Sequence, residues 1–405
     1  MHQDRSRAQK KKIRLKSGRK TALKSTQSNT GKVKRIIART IKGLEDVLAE
    51  ELLQIGANSV KVQNRAVSFE GTQETIYAAN LHLRTALRIL VPILDFKIRN
   101  QTEFYEKLYS FRWEDHLKAS DTLAIDTAVS TKVFSNSLYV AMKAKDAIVD
   151  RFRKISGRRP SVDLEDPTIR FHVHIRGSDC TLSLDSSGES LHKRGYRNEA
   201  MAAPINEVLA AGLIQTAIRH ETGQIWKPGT PFPKLVDPMC GAGTIPIEAA
   251  LMANDIAPGL QRRKFGFMQW PDFNLPVWER IQSRAKLRAK GDVGTPIYGA
   301  DVSARAIRIA GENATRAGLP ESAIEFETRI FDQYKPLVLN ESNTPIIIMN
   351  PPYGERLQVK SAASIEEFYE QIGDTLNQKF VGCSAWILSS NISALKRIGL
   401  RASFK

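Results

Sequence analysis

Cysteine is scarce in this chain: Cys180, Cys240 and Cys383 are the only three in 405 residues, and they lie far apart. They can build neither a disulfide framework nor a Cys-x-x-Cys metal knuckle, so a reducing compartment and no bound metal are expected. Long apolar runs are also missing. The most apolar stretch, residues 346–349, is strand-sized, far short of the ~18 residues of a membrane-spanning helix. No apolar region follows the first methionine, so no secretory signal is legible. A cytoplasmic protein without a membrane partner is the expectation. Acid is short relative to base, 43 Asp+Glu against 60 Lys+Arg, a net charge of +17. The surplus is uneven: residues 1–35 hold thirteen Lys/Arg and one acid, Asp4, and the remaining chain is only mildly basic. Such a tail reads as a disordered arm that meets polyanions. It has no apolar stripe, which makes it a poor transit peptide.

What is present is globular. Apolar residues at 42% and charged residues at 25% exclude disorder of the whole chain, and the length suits two to four domains. Residues 40–56 have helical periodicity, with Thr40 as cap, Leu44, Val47, Leu48, Leu52 and Ile55 as stripe, and Gly56 at the end. Residues 60–71 alternate as two strands around Asn64-Arg65, completing a small βαββ unit over 36–74. A second unit spans 75–188. It has a helix at 75–87, an apolar segment at 89–96, a strand at 122–130, a helix at 137–157 and a hairpin at 169–188. The 137–157 helix has a basic face of Lys143, Lys145, Arg151 and Lys154, with Arg158 just beyond. His172 and His174 share one strand face. No third ligand is in register, so a polar sheet face is the better reading than a metal pair.

From residue 190 the pattern changes. Strands at 235–239, 297–302, 324–331, 346–349 and 385–388 alternate with helices at 245–253, 304–317, 365–378 and 392–398. That order predicts a parallel sheet flanked by helices. An insertion at 256–294 interrupts it, basic and aromatic through Arg262, Arg263, Lys264, Phe265, Phe267 and Trp270.

The chemistry sits at strand ends. "LVDPMCGAGTIPIEAA" runs strand, acid, glycine turn, helix. Gly241 and Gly243 let a ligand approach the backbone, and the helix start offers free N–H groups. Ile247 stands where a third glycine would complete a dinucleotide fingerprint, which disfavours a nicotinamide cofactor. Asp301, ending "IYGAD", can accept the hydroxyls of a ribose, and Asp332, ending "RIFD", can accept an exocyclic amine such as that of adenine. "PIIIMNPPYGER" is the sharpest signal. Two prolines stop pairing and fix the backbone, holding the Asn350 side chain and the Pro351 carbonyl at the sheet edge as acceptors. Two acceptors gripping the hydrogens of a base amine would favour a pyramidal nitrogen able to attack an electrophilic methyl. Pro352 would stiffen the loop, and Tyr353 could stack on a flipped base.

"DPMCGAGT", the strand-end Asp301 and "NPPYGER" resemble the class I S-adenosylmethionine-dependent methyltransferases that act on amino groups of bases. "YVAMKAKDAIVDRFR", "RPSVDLEDPTIR", "LSLDSSGESLHKRGYR" and "APINEVLAAGLI" extend the resemblance to the THUMP-containing bacterial ribosomal RNA guanine-N2 methyltransferases, over about residues 36–405. The resemblance is closest to the amino-terminal half of the large-subunit (23S) enzyme. It implies an α/β chain: a basic tail (1–35), a ferredoxin-like segment (36–74), a THUMP RNA-binding domain (75–188) and a Rossmann-like methyltransferase domain (190–405). S-adenosyl-L-methionine is the implied cofactor. Asp237, Gly241 and Gly243 would line its methionine part and Asp301 and Asp332 its ribose and adenine, with Cys240, Thr244, Arg197 and Glu207 also binding the cofactor. Residues 194–197, with Arg197, match a segment that closes over the cofactor. Pro204, Asn206 and Glu207 match the opening of the first helix, although Asn206 departs from an expected lysine. Lys143, Lys145, Arg151, Lys154, Arg158, Arg262, Arg263 and Lys264 would face RNA, the expected partner.

Two departures accompany the resemblance. The basic tail is an addition. Residues 400–405 read as the start of a sixth strand, so the closing hairpin of the family is expected to be missing. Three rivals share features with the leading reading: a transfer RNA guanine-N2 methyltransferase, a DNA adenine-N6 methyltransferase, and a non-catalytic RNA-binding ribosome-assembly factor.

Overall fold

The computed structural model describes residues 31–197, 205–291, 294, 297–334, 344–352 and 364–403. The first half contains β1 (Lys34–Arg39), α1 (Glu45–Gln54), β2 (Asn58–Gln63), β3 (Ala66–Gly71), α2 (Gln73–His82), β4 (Arg88–Lys97), α3 (Gln101–Ser110), β5 (Thr122–Ser130), α4 (Ser137–Ser156), β6 (Ser161–Val162), β7 (Ile169–Arg176) and β8 (Asp179–Asp185). These strands form one sheet in the order β2-β3-β1-β4-β8-β7-β5-β6. Because β4 pairs with β1 on one side and β8 on the other, the sheet runs unbroken through both amino-terminal units.

The second half contains α5 (Glu207–Thr222), β9 (Leu235–Asp237), α6 (Thr244–Ala253), α7 (Leu275–Arg288), β10 (Ile297–Asp301), α8 (Ala304–Arg316), β11 (Glu325–Thr328), β12 (Ile346–Met349), α9 (Ile365–Lys379), β13 (Ser384–Ile387) and α10 (Ile392–Arg397). Its strands pair in parallel in the order β11-β10-β9-β12-β13. The first strand therefore lies in the middle, and the chain builds outward to β10 on one side and β12 on the other. That reversal leaves a crevice at the carboxyl ends of β9 and β12, where open α/β sheets bind ligands. All ten residues of α6 are buried beside it.

Several elements differ from the periodicity. Helix α1 begins at Glu45, not Thr40, because the Thr40 hydroxyl donates to the Thr85 carbonyl (2.6 Å) across the fold. Helix α2 stops at His82, not 87. The N–H groups of Arg84 and Thr85 turn away to the buried Glu51 carboxylate at 3.2 and 3.0 Å. Strand β11 is shorter than expected, and Asp332 sits in a 3₁₀ turn beyond it. Residues 400–403, read as the start of a sixth strand, carry none.

The basic aromatic insertion folds back onto the first half. Phe265, Phe267 and Trp278 are buried there, with Phe267 stacked on Tyr77 of α2 at 4.3 Å and Trp278 edge-on at 5.2 Å from Phe267. The Tyr77 hydroxyl accepts the Asn274 N–H at 3.0 Å. Gly266 has no room for a side chain, since a Cβ would lie 2.5 Å from the Asp185 carbonyl. Phe267→Ala should therefore cost about 3–5 kcal/mol, read as a lowered urea midpoint. A loss under about 1 kcal/mol would show that this cluster does not lock the two halves together.

Candidate active site

The crevice is built from three strand ends. After β9 the chain turns through Gly241 (φ +53°) and Gly243 (φ +80°), conformations that L side chains rarely adopt. Gly243 is packed, because a Cβ there would lie 2.9 Å from Ala310. Gly241 faces open space, so its backbone is available to a ligand. The turn is pinned from outside. The Cys240 N–H donates to the Ala300 carbonyl (2.8 Å), and the buried Asn313 amide donates to the Ala242 carbonyl (3.0 Å). Cys240 itself is buried, which pushes its thiol well up.

Asp301 closes this cradle. One carboxylate oxygen accepts the Gly241 N–H and the other the Ser303 N–H, both at 2.9 Å. Each oxygen keeps a lone pair for a further donor. Asp237 is 1% exposed and accepts the Met239 N–H at 3.1 Å. Burial pushes its carboxyl well above the ordinary range, and the nearby Asp301 charge adds to the push. Val302 is 70% and Ile330 41% exposed. These two exposed apolar side chains follow the strand-end acid and precede the Asp332 turn, respectively. Sequence reasoning passed over them, because an exposed apolar residue is visible only once the fold is known. Asp332 is exposed, and its carbonyl accepts the Lys379 ammonium at 2.5 Å.

Arg197 reaches the same place from the linker. It donates to Thr244 Oγ1 and the Ile205 carbonyl (2.5 and 2.7 Å) and pairs with Glu207 at 3.4 Å. Asn206 caps α5, accepting from Val208 and Leu209. Pro204 lies outside the described residues. Sequence reasoning also missed Glu248, a fully buried acid in the apolar run of α6, which meets Arg194 at 3.4 Å and the Tyr196 hydroxyl at 3.2 Å.

On the other side of β9, β12 is fully buried and ends at Asn350. Its last ladder bond is donated by Leu388 N–H to the Met349 carbonyl (3.0 Å). Asn350 Oδ1 is buried and accepts from no group among the described residues. Pro351 is buried and Pro352 exposed. Tyr353 and the rest of that loop lie outside the described residues. A buried acceptor without a donor costs about 1–3 kcal/mol, so this edge is poised for a ligand N–H.

The cations expected to face RNA divide. Lys143 lies over the Tyr105 and Tyr139 rings (5.7 and 5.8 Å), and Lys154 over Tyr109 (5.8 Å). Lys145 pairs with its neighbour Asp146, and Arg158 and Arg263 are exposed. Lys264 pairs with Asp166 at 2.6 Å. Two of these expectations need correction. Arg151 is held by both oxygens of Glu114 (2.8 and 2.9 Å) and donates to the Tyr109 and Ser110 carbonyls, tying α4 to the segment after α3. Arg262 is buried. Its guanidinium donates to the carbonyls of Ser187, Glu189, Ser190 and Lys193, and burial draws its pKa down to about 10. A cation spent on carbonyls is a cross-tie, not an RNA contact. His172 is buried and drawn down to about 4 by desolvation. No group of three or more metal-ligating side chains occurs among the described residues, nor a helix long and apolar enough to cross a membrane.

Three family models match the chain. Residues 194–405 match the RMKL-like methyltransferase domain, 35–90 the RlmL ferredoxin-like domain, and 99–185 the THUMP domain. A Syntrophotalea carbinolica protein named ribosomal RNA large subunit methyltransferase K/L is 38% identical over 91% of this chain and 51% of its own. A Synechocystis sp. protein provisionally named an RNA methyltransferase is 37% identical over 90% of this chain and 91% of its own. The chain spans about half the length of the K/L relatives it matches. Among solved structures, a protein provisionally described as a methyltransferase complexed with SAH shares 30% identity, with a TM-score of 0.75 over 92% of this chain and 94% of that one. A Listeria monocytogenes protein described as a predicted N6-adenine-specific DNA methylase shares 32%, TM-score 0.75, over 92% and 93%.

The buried Asp237 sets a pH dependence. Its native pKa lies above the unfolded value near 3.8, so the native state holds the extra proton. The stability linked to that proton is full below pH ~3.8 and is lost as pH rises through the native pKa. Asp237→Asn, which needs no proton, should gain on the wild type in urea midpoint as pH is raised from 4. A difference that stays flat with pH would mean that Asp237 ionises normally.

Proposed function

The chain belongs to the RMKL-like methyltransferase family with its THUMP and ferredoxin-like domains, and from that premise we propose that it methylates the exocyclic N2 amine of a guanosine in large-subunit (23S) ribosomal RNA. The fold is that of a class I methyltransferase, and its cofactor is S-adenosylmethionine, which supplies an electrophilic methyl group on a sulfonium. The residues fit it. Gly241 leaves backbone open to a ligand, and Asp301 is pre-oriented with lone pairs to spare for ribose hydroxyls. Asp237 is a buried acid suited to a cationic ammonium.

The observation that carries the reading is the orphan Asn350 Oδ1 at the β12 edge. With the Pro351 carbonyl it offers two acceptors to the two hydrogens of one exocyclic amine. Gripping both localises the nitrogen lone pair, and the prolines hold that geometry before substrate arrives. After transfer, the surplus proton leaves the nitrogen through the same acceptors to solvent. The choice of guanine N2 rests on the resemblance carried by "YVAMKAKDAIVDRFR", "RPSVDLEDPTIR", "LSLDSSGESLHKRGYR" and "APINEVLAAGLI". The THUMP unit and the basic tail supply backbone affinity that carries no sequence information, and structured RNA presents the flipped base.

The test is transfer of labelled methyl from S-adenosylmethionine to total nucleic acid of a cell lacking the enzyme, followed by nucleoside analysis. Label in N2-methylguanosine of the large ribosomal RNA is expected. Label in N6-methyladenine of DNA would favour the activity named for the Listeria neighbour instead, and label confined to transfer RNA would move the substrate. Asn350→Ala should lower the rate by a hundredfold or more, the order seen when an aligned polar group is removed, with cofactor affinity unchanged. A variant near the wild-type rate would sink the acceptor-grip mechanism.

A further inference from the structure

A cleft of about 770 Å³ lies between the two halves of the molecule. Three pieces of chain line it: the loop 165–170 leading into β7, the linker 188–197, and the stretch 261–269 of the insertion. It also reaches Arg197 and Glu207. Arg197 is the side chain that donates to Thr244 at the start of the cofactor helix, so the cleft joins the THUMP edge to the active site.

Its chemistry is that of an anion track. Seven lining side chains are Arg or Lys against four Asp or Glu, spread over three segments and not gathered at one point. Of the buried polar atoms on these residues, Arg170 Nε, Arg197 Nε and Glu207 Oε2 have no partner among the described residues. Two are guanidinium donors, the groups that best match phosphate oxygens. The third, on a side chain 3% exposed, needs a donor. An RNA ribose carries one as its 2′-hydroxyl, and a phosphate dianion does not. Arg263 stands exposed at the cleft. Lys264 reaches from the insertion to Asp166 on the THUMP side, with both side chains well exposed (41% and 76%). An exposed pair of this kind is worth at most about 1 kcal/mol, so a phosphate can replace the carboxylate at little cost.

We propose that this cleft holds the phosphodiester backbone of the RNA segment adjoining the target nucleotide, running from loop 165–170 to Arg197. The proposal rests on the RNA reading above. It makes the seam between the two halves, not the α4 face alone, the route by which the strand reaches Asn350.

The test uses the full chain and a fluorescein-labelled 12-nucleotide oligouridylate, with binding followed by anisotropy across salt concentrations. The double variant Arg263→Glu/Lys264→Glu is compared with Lys97→Glu/Arg99→Glu, an equal charge change away from the cleft. The cleft variant should bind at least about tenfold more weakly than the comparator. Its log–log salt slope should be flatter by about 1, as expected for one or two lost single-strand phosphate contacts. Calorimetric affinity for S-adenosylhomocysteine should be unchanged in both, which shows that each is folded. As a second measurement, oligouridylate carrying 4-thiouridine should photocrosslink to peptides containing residues 165–170 or 261–269. Equal binding by the two variants, or crosslinks confined to the tail and α4, would overturn the cleft assignment and leave the RNA reading standing. A wild-type chain that binds S-adenosylhomocysteine but no RNA would overturn both.

Discussion

The molecule depends on one buried ion pair. Arg194 and Glu248 are 2% and 0% exposed and meet at 3.4 Å. Arg194 also donates to the carbonyls of Leu191 and Arg84 (2.8 and 2.6 Å). Arg84 in turn donates to the carbonyls of Leu251 and Ile256 (3.3 and 2.8 Å), and its backbone meets Glu51 of α1. A continuous polar thread thus runs from α1 through the linker into α6, the helix that opens on the glycine turn. Replacing such a pair by apolar groups can be harmless, but removing one member strands a buried charge at about 3–5 kcal/mol. Its value here is orientation. The amino-terminal half cannot rotate against the glycine turn without breaking bonds that no solvent replaces.

The insertion between α6 and β10 reinforces that constraint by other means. Phe267 and Trp278 bury their rings against Tyr77 and Phe265 stacks on Phe267, while Arg280 pairs with Glu74 (3.0 Å) and Lys34 with Asp272 (3.5 Å) at the rim. The interior rings carry the energy, because exposed pairs contribute little. The arrangement has a directional consequence. Chain that belongs to the carboxyl-terminal half in sequence belongs to the amino-terminal half in packing, so the amino-terminal core is incomplete without it.

What could be read in advance follows the range of the interactions. Strand β5 and helix α4 stand where the pattern put them, since alternation, the basic face and the left-handed Gly157 at the helix end are local signals. The glycine turn and the strand-end positions of Asp301 and Asn350 were equally local. The start of α1 and the end of α2 were not legible, because Thr40 and Glu51 find partners 45 and 34 residues away. Arg151 and Arg262 failed for the same reason. A cation looks identical in sequence whether it meets water, a carboxylate or four carbonyls. Glu248 carried one faint signal, a charge inside the apolar run "IPIEAALMA", and Val302 and Ile330 carried none.

The site itself follows from a division between what is satisfied and what is left open. Three backbone groups that shape the turn have fixed partners: Cys240 N–H on Ala300, Ala242 carbonyl on Asn313, Gly241 N–H on Asp301. The groups facing the crevice are not so served. Asn350 Oδ1 has no donor among the described residues, and the Asp237 carboxyl is held against its own ionisation. Each such group opposes folding, and a site that satisfied them internally would be more stable. It would also have to break those bonds whenever a ligand arrived. Leaving the acceptors open places that cost in the folding step, where the wholly buried α6 and β12 offset it through apolar contact. Under the proposed function an incoming amine would meet acceptors that need no rearrangement, which is how a fixed geometry comes to favour the reacting form over the resting one.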